Sequence, residues 1–284
     1  MLIDQFSEKN KDVEKGFIYP QEMLEEYLGY GSKLEGEGPY SGEELGIIED
    51  TLDNLYEEMT ACISPADERQ ELFLAVGGPA AGKSTYIDSF LEDSDKGYGL
   101  IDMDYIRENL SLCVNAMSDK RAQGASIAEA DDYAFKKYQN AGIYIGRALL
   151  NRLYENGYNA VYCIQPASFN KYFDLFKSAR EQGTDLKINF FNAPYEELQK
   201  SVEHRTAKTG RGLQDGVLDK QYKAMPEAVK LAMGEGMECN FYWRERCDSC
   251  AVMVSSTVAD GMVDGNSIFE VSGTSSFMHE PEVF

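Results

Sequence analysis

Residues 72–86, Leu-Phe-Leu-Ala-Val-Gly-Gly-Pro-Ala-Ala-Gly-Lys-Ser-Thr-Tyr, set an apolar run of strand formers directly before Gly77-x-x-x-x-Gly82-Lys83-Ser84-Thr85. A strand, a glycine-rich loop and a helix in that order turn consecutive backbone N–H groups toward one point. Glycine accepts the tight turn, and the helix N-terminus adds a favourable dipole for an anion. Such a loop cradles the phosphates of a nucleoside triphosphate. Gly78, Pro79, Ala80, Ala81, Gly82, Lys83, Ser84 and Thr85 would line it, with Lys83 on the β- and γ-phosphates and the Ser84 hydroxyl on Mg²⁺. The chain is expected to bind ATP and Mg²⁺.

From residue 71 onward, strand and helix patterns alternate. Strands are expected at 72–76, 99–103, 159–164, 186–191 and 250–257, and helices near 83–93, 127–156, 168–182, 195–208 and 216–233. This alternation predicts an α/β fold, a mostly parallel sheet covered on both faces. Asn156-Gly157 should end the long central helix with a left-handed cap. Asp-Gly signals within 259–275 suggest a closing hairpin, and 274–284 reads as a polar tail.

The first 70 residues read differently, as an acidic helical segment. Met23, Leu24, Tyr27 and Leu28 mark one face of a short helix that Gly29 and Gly31 end. Ser41 and Glu44 form a capping box that opens a second helix with Leu45, Ile48, Leu52, Leu55 and Met59 at helical spacing. Ser64-Pro65 is expected to cap a third, short helix. The segment serves either as a solvated cover on the core or as a surface for a basic protein partner.

Charge narrows the substrate. The 284-residue chain carries a formal charge of −22, and residues 1–70 alone hold eighteen acidic against five basic side chains. Affinity for a phosphodiester backbone rests on Lys and Arg, so a nucleic-acid substrate is disfavoured and a small molecule or a protein is favoured. No apolar run is long enough for a transmembrane helix, and the first residues lack a signal-peptide pattern. Six scattered cysteines fit a reducing compartment, so a cytoplasmic location is expected. Cys239, Cys247 and Cys250 cluster in sequence, but a structural zinc site needs a fourth ligand.

Two further stretches carry chemistry. Ile101-Asp102-Met103-Asp104-Tyr105-Ile106-Arg107 follows the second strand, whose carboxyl end should face the phosphate loop. Transfer of a phosphoryl group to a hydroxyl needs a carboxylate to take the hydroxyl proton, and Asp104 is placed for it. Arg107, three residues on, would project to the same side and hold an anionic group of the acceptor. Asp102 is either a group near Mg²⁺ or a strand-end residue. Glu203-His-Arg-Thr-Ala-Lys-Thr-Gly-Arg-Gly212 opens a cationic, glycine-bearing loop, expected to act as a lid that brings Arg205 and Arg211 onto the transferring phosphate.

Taken together, Gly77–Thr85, Asp102-x-Asp104-x-x-Arg107 and Arg205…Arg211 before a helix near Asp215–Tyr222 resemble the zeta-toxin and polynucleotide-kinase-like branch of phosphate-loop kinases. The resemblance spans about residues 70–273 and places 250–257 as the last core strand. It implies a three-layer P-loop NTPase sandwich and a division into the segment 1–70, a kinase domain 71–273 and the tail 274–284. It assigns proton acceptance to Asp104 and charge stabilisation to Lys83, Arg205 and Arg211. Members that phosphorylate a UDP-amino sugar carry Glu-x-Thr after the third strand, where this chain has Ile164-Gln165-Pro166-Ala167-Ser168. Gln165 can hydrogen-bond an acceptor but supplies no charge. The expected function is therefore an ATP- and Mg²⁺-dependent kinase acting on a hydroxyl of a small molecule, with a sugar nucleotide as one acceptor class. The alternatives are an ATP-dependent switch that binds a protein partner, a polynucleotide 5′-hydroxyl kinase, and a toxin held in check by its N-terminal segment or an antitoxin.

Overall fold

The computed structural model describes residues 18–209, 212–248 and 250–256. The expected hairpin at 259–275, the tail at 274–284 and Arg211 lie outside the described residues.

Strand β1 (Glu71–Gly77) is buried along its whole length. Leu72, Leu74 and Val76 face one core while Phe73 and Ala75 face another. That period of two, with both faces apolar, is what a central strand between two helical layers requires. Around it lie β2 (Tyr98–Ile101), β3 (Asn159–Ile164), β4 (Asp185–Asn192), β5 (Glu238–Trp243) and β6 (Val252–Ser256). The order across the sheet is β2-β3-β1-β4-β5-β6, with every neighbouring pair parallel except β5 and β6.

Helix α3 (Lys83–Asp93) and α8 (Tyr195–Thr209) cover one face, through side chains such as Ile87 and Leu198. The other face carries α6 (Ile127–Glu155), α7 (Pro166–Glu181) and α9 (Val217–Gly234). The fold is thus an α/β sandwich of three layers. Among the described residues no helix is long and apolar enough to cross a membrane.

Three differences from the sequence reading have physical reasons. The fifth parallel strand is β5, which the reading missed, and 252–256 is instead the antiparallel edge strand. Polar Asn240 interrupts the apolar run of β5, but its Nδ2 donates to Asn189 Oδ1 of β4 at 3.0 Å, so the strand tolerates it. Second, the strand expected at 99–103 stops at Ile101, and helices α4 (Met103–Asn109) and α5 (Ser111–Ala122) follow in a stretch between the helices expected near 83–93 and 127–156. Third, no helix follows Ser64-Pro65. There Ala66 N donates to Gly157 O at 2.9 Å, so this backbone is held by the turn before β3 rather than by its own carbonyls. Gly157 itself, at φ +76, ends α6 in the left-handed conformation.

The N-terminal helices are part of the core. Helix α1 (Gln21–Tyr30) buries Met23 and Leu24, and α2 (Gly42–Ala61) buries Ile48, Leu52 and Leu55 against the same apolar cluster that α6 and β3 build. Each such side chain contributes about 1.5–3 kcal/mol when fully buried. Ser41 and Glu44 close the capping box of α2 reciprocally. Gly31 ends α1 at φ +59, where a Cβ would lie 2.6 Å from Gly38 O. Polar contacts add direction. Asn151 of α6 accepts from the backbone N–H groups of Ile18 and Tyr19 and donates to Tyr19 O at 2.7 Å. The carboxylates of α2 accept from hydroxyls on other helices: Glu44 from Tyr138 at 2.8 Å, Glu49 from Tyr144, and Glu58 from Tyr105 at 2.9 Å. Arg147, 5% exposed, is enclosed by the rings of Tyr19, Tyr27 and Tyr172, 4.2–4.7 Å from each centroid. Such cation–π contacts are worth up to about 2 kcal/mol each when desolvated.

Candidate active site

At the carboxyl end of β1 the chain turns through Gly78–Gly82 into α3. Two residues of the loop have left-handed backbone, Ala80 at φ +59 and Gly82 at φ +93. Gly77 must lack a side chain, because a Cβ would meet Phe191 O at 2.8 Å and Lys83 Cδ at 3.2 Å. Lys83 therefore folds back over the loop, and its Nζ donates to Gly77 O at 2.8 Å and Gly78 O at 2.9 Å. Both acceptors are neutral, so the ammonium keeps its charge available for an anion. Burial lowers its pKa below the usual value. The Cys163 thiol, Asp102 and Asp104 oppose that shift, and Arg205 adds to it. The fit to a triphosphate is good: an amide-bearing loop at a helix N-terminus with one ammonium lying across it.

Ser84 and Thr85 are exposed on the first turn of α3. Ser84 shares a cavity of about 160 Å³ with Ile87, Asp88, Leu100, Asp102, Tyr105 and Cys163. The hydroxyl and the Asp88 and Asp102 carboxylates are hard oxygen donors of the kind Mg²⁺ takes. No cluster of three or more His, Cys, Asp or Glu side chains that could hold a metal occurs among the described residues. Cys239 is buried in β5, while Cys247 and Cys250 are exposed beyond it.

Asp102 caps α4. Its Oδ1 accepts from the N–H groups of Asp104 at 2.8 Å and Tyr105 at 3.3 Å. With that task taken, Asp104 projects from the first turn with its side chain 53% exposed, and two guanidinium groups approach it. Arg107 Nη1 lies 3.6 Å from Asp104 Oδ1, and Arg205 Nη1 of α8 lies 3.6 Å from Oδ2. These are ion contacts longer than hydrogen bonds. Arg107 is held in place from the other side, donating to Asp131 Oδ1 at 3.0 Å and lying 4.8 Å from the centre of the Phe135 ring. The Arg205 Nε is buried with no hydrogen-bond partner among the described residues.

Gln165 is exposed where β3 enters α7, and its Oε1 accepts from Gln221 Nε2 at 2.9 Å. Gln221, buried in the first turns of α9, also accepts from Ala167 N at 3.1 Å and packs beside Gly78. The sequence reading passed over Gln221 and Arg244. Arg244 follows the unrecognised strand β5 and reaches the phosphate loop; an arginine at the carboxyl end of a core strand was the missed signal.

The structure thus brings together the loop 78–85, Lys83, Asp102, Asp104, Arg107 and Arg205 at the carboxyl edge of the sheet, with Gln165 beside the loop through Gln221.

The same arrangement of layers is found in known structures. The fold is similar to that solved for the PezAT chromosomal toxin–antitoxin system of Streptococcus pneumoniae, at TM-score 0.60 and 13% identity, covering 81% of this chain and 87% of that one. It is similar as well to AvrRxo1-ORF1:AvrRxo1-ORF2 with sulphate ions, at TM-score 0.58 and 16% identity, covering 90% of this chain and 82% of that one. AvrRxo1-ORF1:-ORF2 with ATP gives TM-score 0.56 at 15% identity, with 85% and 75% covered. No curated protein matches in sequence. The zeta toxin family model matches residues 54–235, a span running from α2 through the phosphate loop, Asp104 and Arg205 to the end of α9. This chain belongs to the zeta toxin family.

Proposed function

We propose that the protein is a kinase that uses ATP and Mg²⁺ to phosphorylate a hydroxyl group of a small molecule. The observation that carries this reading is the meeting of Asp104 with Arg205 beside a loop whose lysine lies over its own glycines. ATP bound to one AvrRxo1 complex of similar fold supports the nucleotide.

In the proposed reaction the loop amides and Lys83 hold the β- and γ-phosphates. Asp104 accepts the proton of the acceptor hydroxyl as its oxygen attacks the γ-phosphorus, and the bond from that phosphorus to the bridging oxygen of ADP breaks. Arg205 and Lys83 stabilise the negative charge that spreads over the transferring group. Mg²⁺ at Ser84 would neutralise phosphate charge. Arg107, anchored by Asp131, keeps Asp104 oriented and is placed to meet an anionic acceptor.

An acceptor with its own negative charge, such as a sugar nucleotide, would suit the guanidinium of Arg107 beside Asp104. Three lysines of this acidic chain act on one another: Lys33, which donates to Gln139 at 2.7 Å, Lys171, which lies over the Tyr172 ring, and Lys220 on α9. Burial and the charges of Lys220 and Lys171 together lower the pKa of Lys33. A polynucleotide acceptor remains disfavoured by the overall charge of −22. An antitoxin-like protein partner is part of the reading, since the PezAT neighbour comes from a toxin–antitoxin system.

The test is transfer of γ-labelled phosphate from ATP to UDP-sugars, nucleosides, free sugars and oligonucleotides, read by mass spectrometry. Phosphate on a small acceptor supports the reading. Tight ATP binding with no transfer to any acceptor would favour a nucleotide-dependent switch instead.

A further inference from the structure

Arg244 stands at the junction of three elements. It follows the last residue of β5, its own N–H donates to Asn192 O at 3.0 Å, and its side chain is only 6% exposed. One terminal nitrogen, Nη2, donates to Ala80 O at 2.6 Å and to Ser201 Oγ of α8 at 2.8 Å. The other, Nη1, donates to Cys247 O at 3.0 Å, closing the loop that β5 opens. Its stem packs on Gly82, where a Cβ would lie 3.4 Å from Arg244 Cδ.

Ala80 is the only non-glycine residue with positive φ among the described residues. An L-residue in that conformation costs about 1–2 kcal/mol, so something must hold it. A buried guanidinium on its carbonyl is a charge-assisted bond roughly twice as strong as a neutral one. The same nitrogen grips the helix that carries Arg205. Ser201 Oγ donates to Glu197 O at 2.7 Å, which leaves its oxygen to accept from Arg244. A second tie runs in parallel, from Cys247 N to Glu197 Oε2 at 3.0 Å.

We propose that Arg244 is a positioning residue. It holds the phosphate loop in its binding conformation through Ala80 and couples that loop to α8, and so to Arg205, through Ser201. The proposal rests on the kinase reading for its consequence, ATP affinity, but its geometry can be tested without nucleotide.

The experiment uses the full chain in five forms: wild type, Arg244→Ala, Arg244→Lys, Ser201→Ala, and Arg244→Ala combined with Ala80→Gly. ATP affinity is measured by calorimetry, and hydrogen exchange of the nucleotide-free protein is followed by mass spectrometry. Arg244→Ala is expected to weaken ATP binding about 10- to 100-fold, the effect of losing a charged hydrogen bond. It should speed exchange together in the peptides covering 78–85 and 197–205. Ala80→Gly in that background is expected to recover most of the affinity, because glycine takes positive φ without strain. A merely structural role would not produce that recovery. Ser201→Ala should leave the loop peptide protected, speed exchange in 197–205 and lower kcat more than it raises the KM for ATP. Where Arg244→Ala fails to fold, Arg244→Lys carries the test: one ammonium replaces three donated bonds, and intermediate losses are expected.

Unchanged exchange at 78–85 in the Arg244 variants overturns the proposal whether or not ATP binds. Lost affinity without recovery by Ala80→Gly overturns it as well. A wild-type protein that binds no ATP, with exchange at 78–85 still governed by Arg244, overturns the kinase reading and leaves the strut standing.

Discussion

Asp104 Oδ2 and Arg205 Nη1 lie 3.6 Å apart, one on the helix after β2 and the other on the helix after β4. Between those strands in the sheet lie β3 and β1, so the pair spans the mouth of the phosphate loop. An acid and a cation that face each other there can act from two sides on a group held by the loop.

The first prediction separates binding from chemistry. Asp104→Asn keeps the shape of the side chain and removes its basicity, so turnover should fall about 10²- to 10⁴-fold with ATP affinity nearly intact. Lys83→Ala should damage both. Calorimetry with ATP and a steady-state assay on whichever acceptor the screen yields would decide it. Surviving turnover in Asp104→Asn removes Asp104 from the proton transfer.

A second prediction concerns acid stability. Glu71, 2% exposed, accepts from Lys96 at 2.9 Å, from Lys187 at 2.7 Å and from Tyr98. Burial alone would raise its carboxyl, but the bonds from Lys187, Tyr98 and Lys96 outweigh it and hold the pKa below the usual carboxylate range. A depressed folded pKa stabilises above the unfolded value, and that contribution is lost as pH falls through the folded one. The denaturation midpoint should therefore drop from about pH 5 downward. Glu71→Gln should flatten that limb and cost about 1–3 kcal/mol at neutral pH, the loss of charge-assisted bonds to two lysines that water can still reach.

Truncation tests whether residues 1–70 are an appendage. Their removal uncovers the face of α6 on which Ile48, Leu52 and Leu55 lie, so the remaining chain should aggregate rather than gain activity. A soluble, ATP-binding 71–284 with raised activity would instead favour an inhibitory segment. The alkaline limb offers a milder probe. Burial and the bonds to Glu44 and Glu49 raise the hydroxyls of Tyr138 and Tyr144. A raised folded pKa stabilises below the unfolded value near 10 and is lost as pH climbs past it. Phenylalanine at both positions should remove part of that loss and cost about 1 kcal/mol per bond at neutral pH.

Thiol accessibility makes a fourth prediction. Iodoacetamide should modify Cys62, Cys247 and Cys250 in the native protein and spare Cys113, Cys163 and Cys239. Burial pushes the thiols of Cys113 up to about 11 and Cys239 up to about 12, which keeps them as the unreactive thiol. Peptide mapping would settle the pattern, and rapid labelling of Cys239 would contradict the placement of β5.

Much of the site was legible because its signals are local. The loop 77–85 declares its turn through glycine spacing, and Asp102-x-Asp104-x-x-Arg107 lies within one helical turn. What the sequence hid depends on long-range contact. In the sequence Asp102 reads as either a group near Mg²⁺ or a strand-end residue, and that its Oδ1 caps α4 shows only once the helix is seen. Strand β5 reads poorly because Asn240 finds its partner, Asn189, only across the sheet. The acidic run of α2 reads as a solvated face, yet the hydroxyls that engage Glu44, Glu49 and Glu58 come from helices far along the chain.

The bond from Tyr105 to Glu58 has a consequence for how this chain tolerates change. The residue beside Asp104 is moored to α2, a helix that carries none of the proposed site residues, so the aim of the proposed base depends on a remote anchorage. Substitution of Glu58, which lies on the exposed side of that helix, should therefore register as altered catalysis before it registers as unfolding.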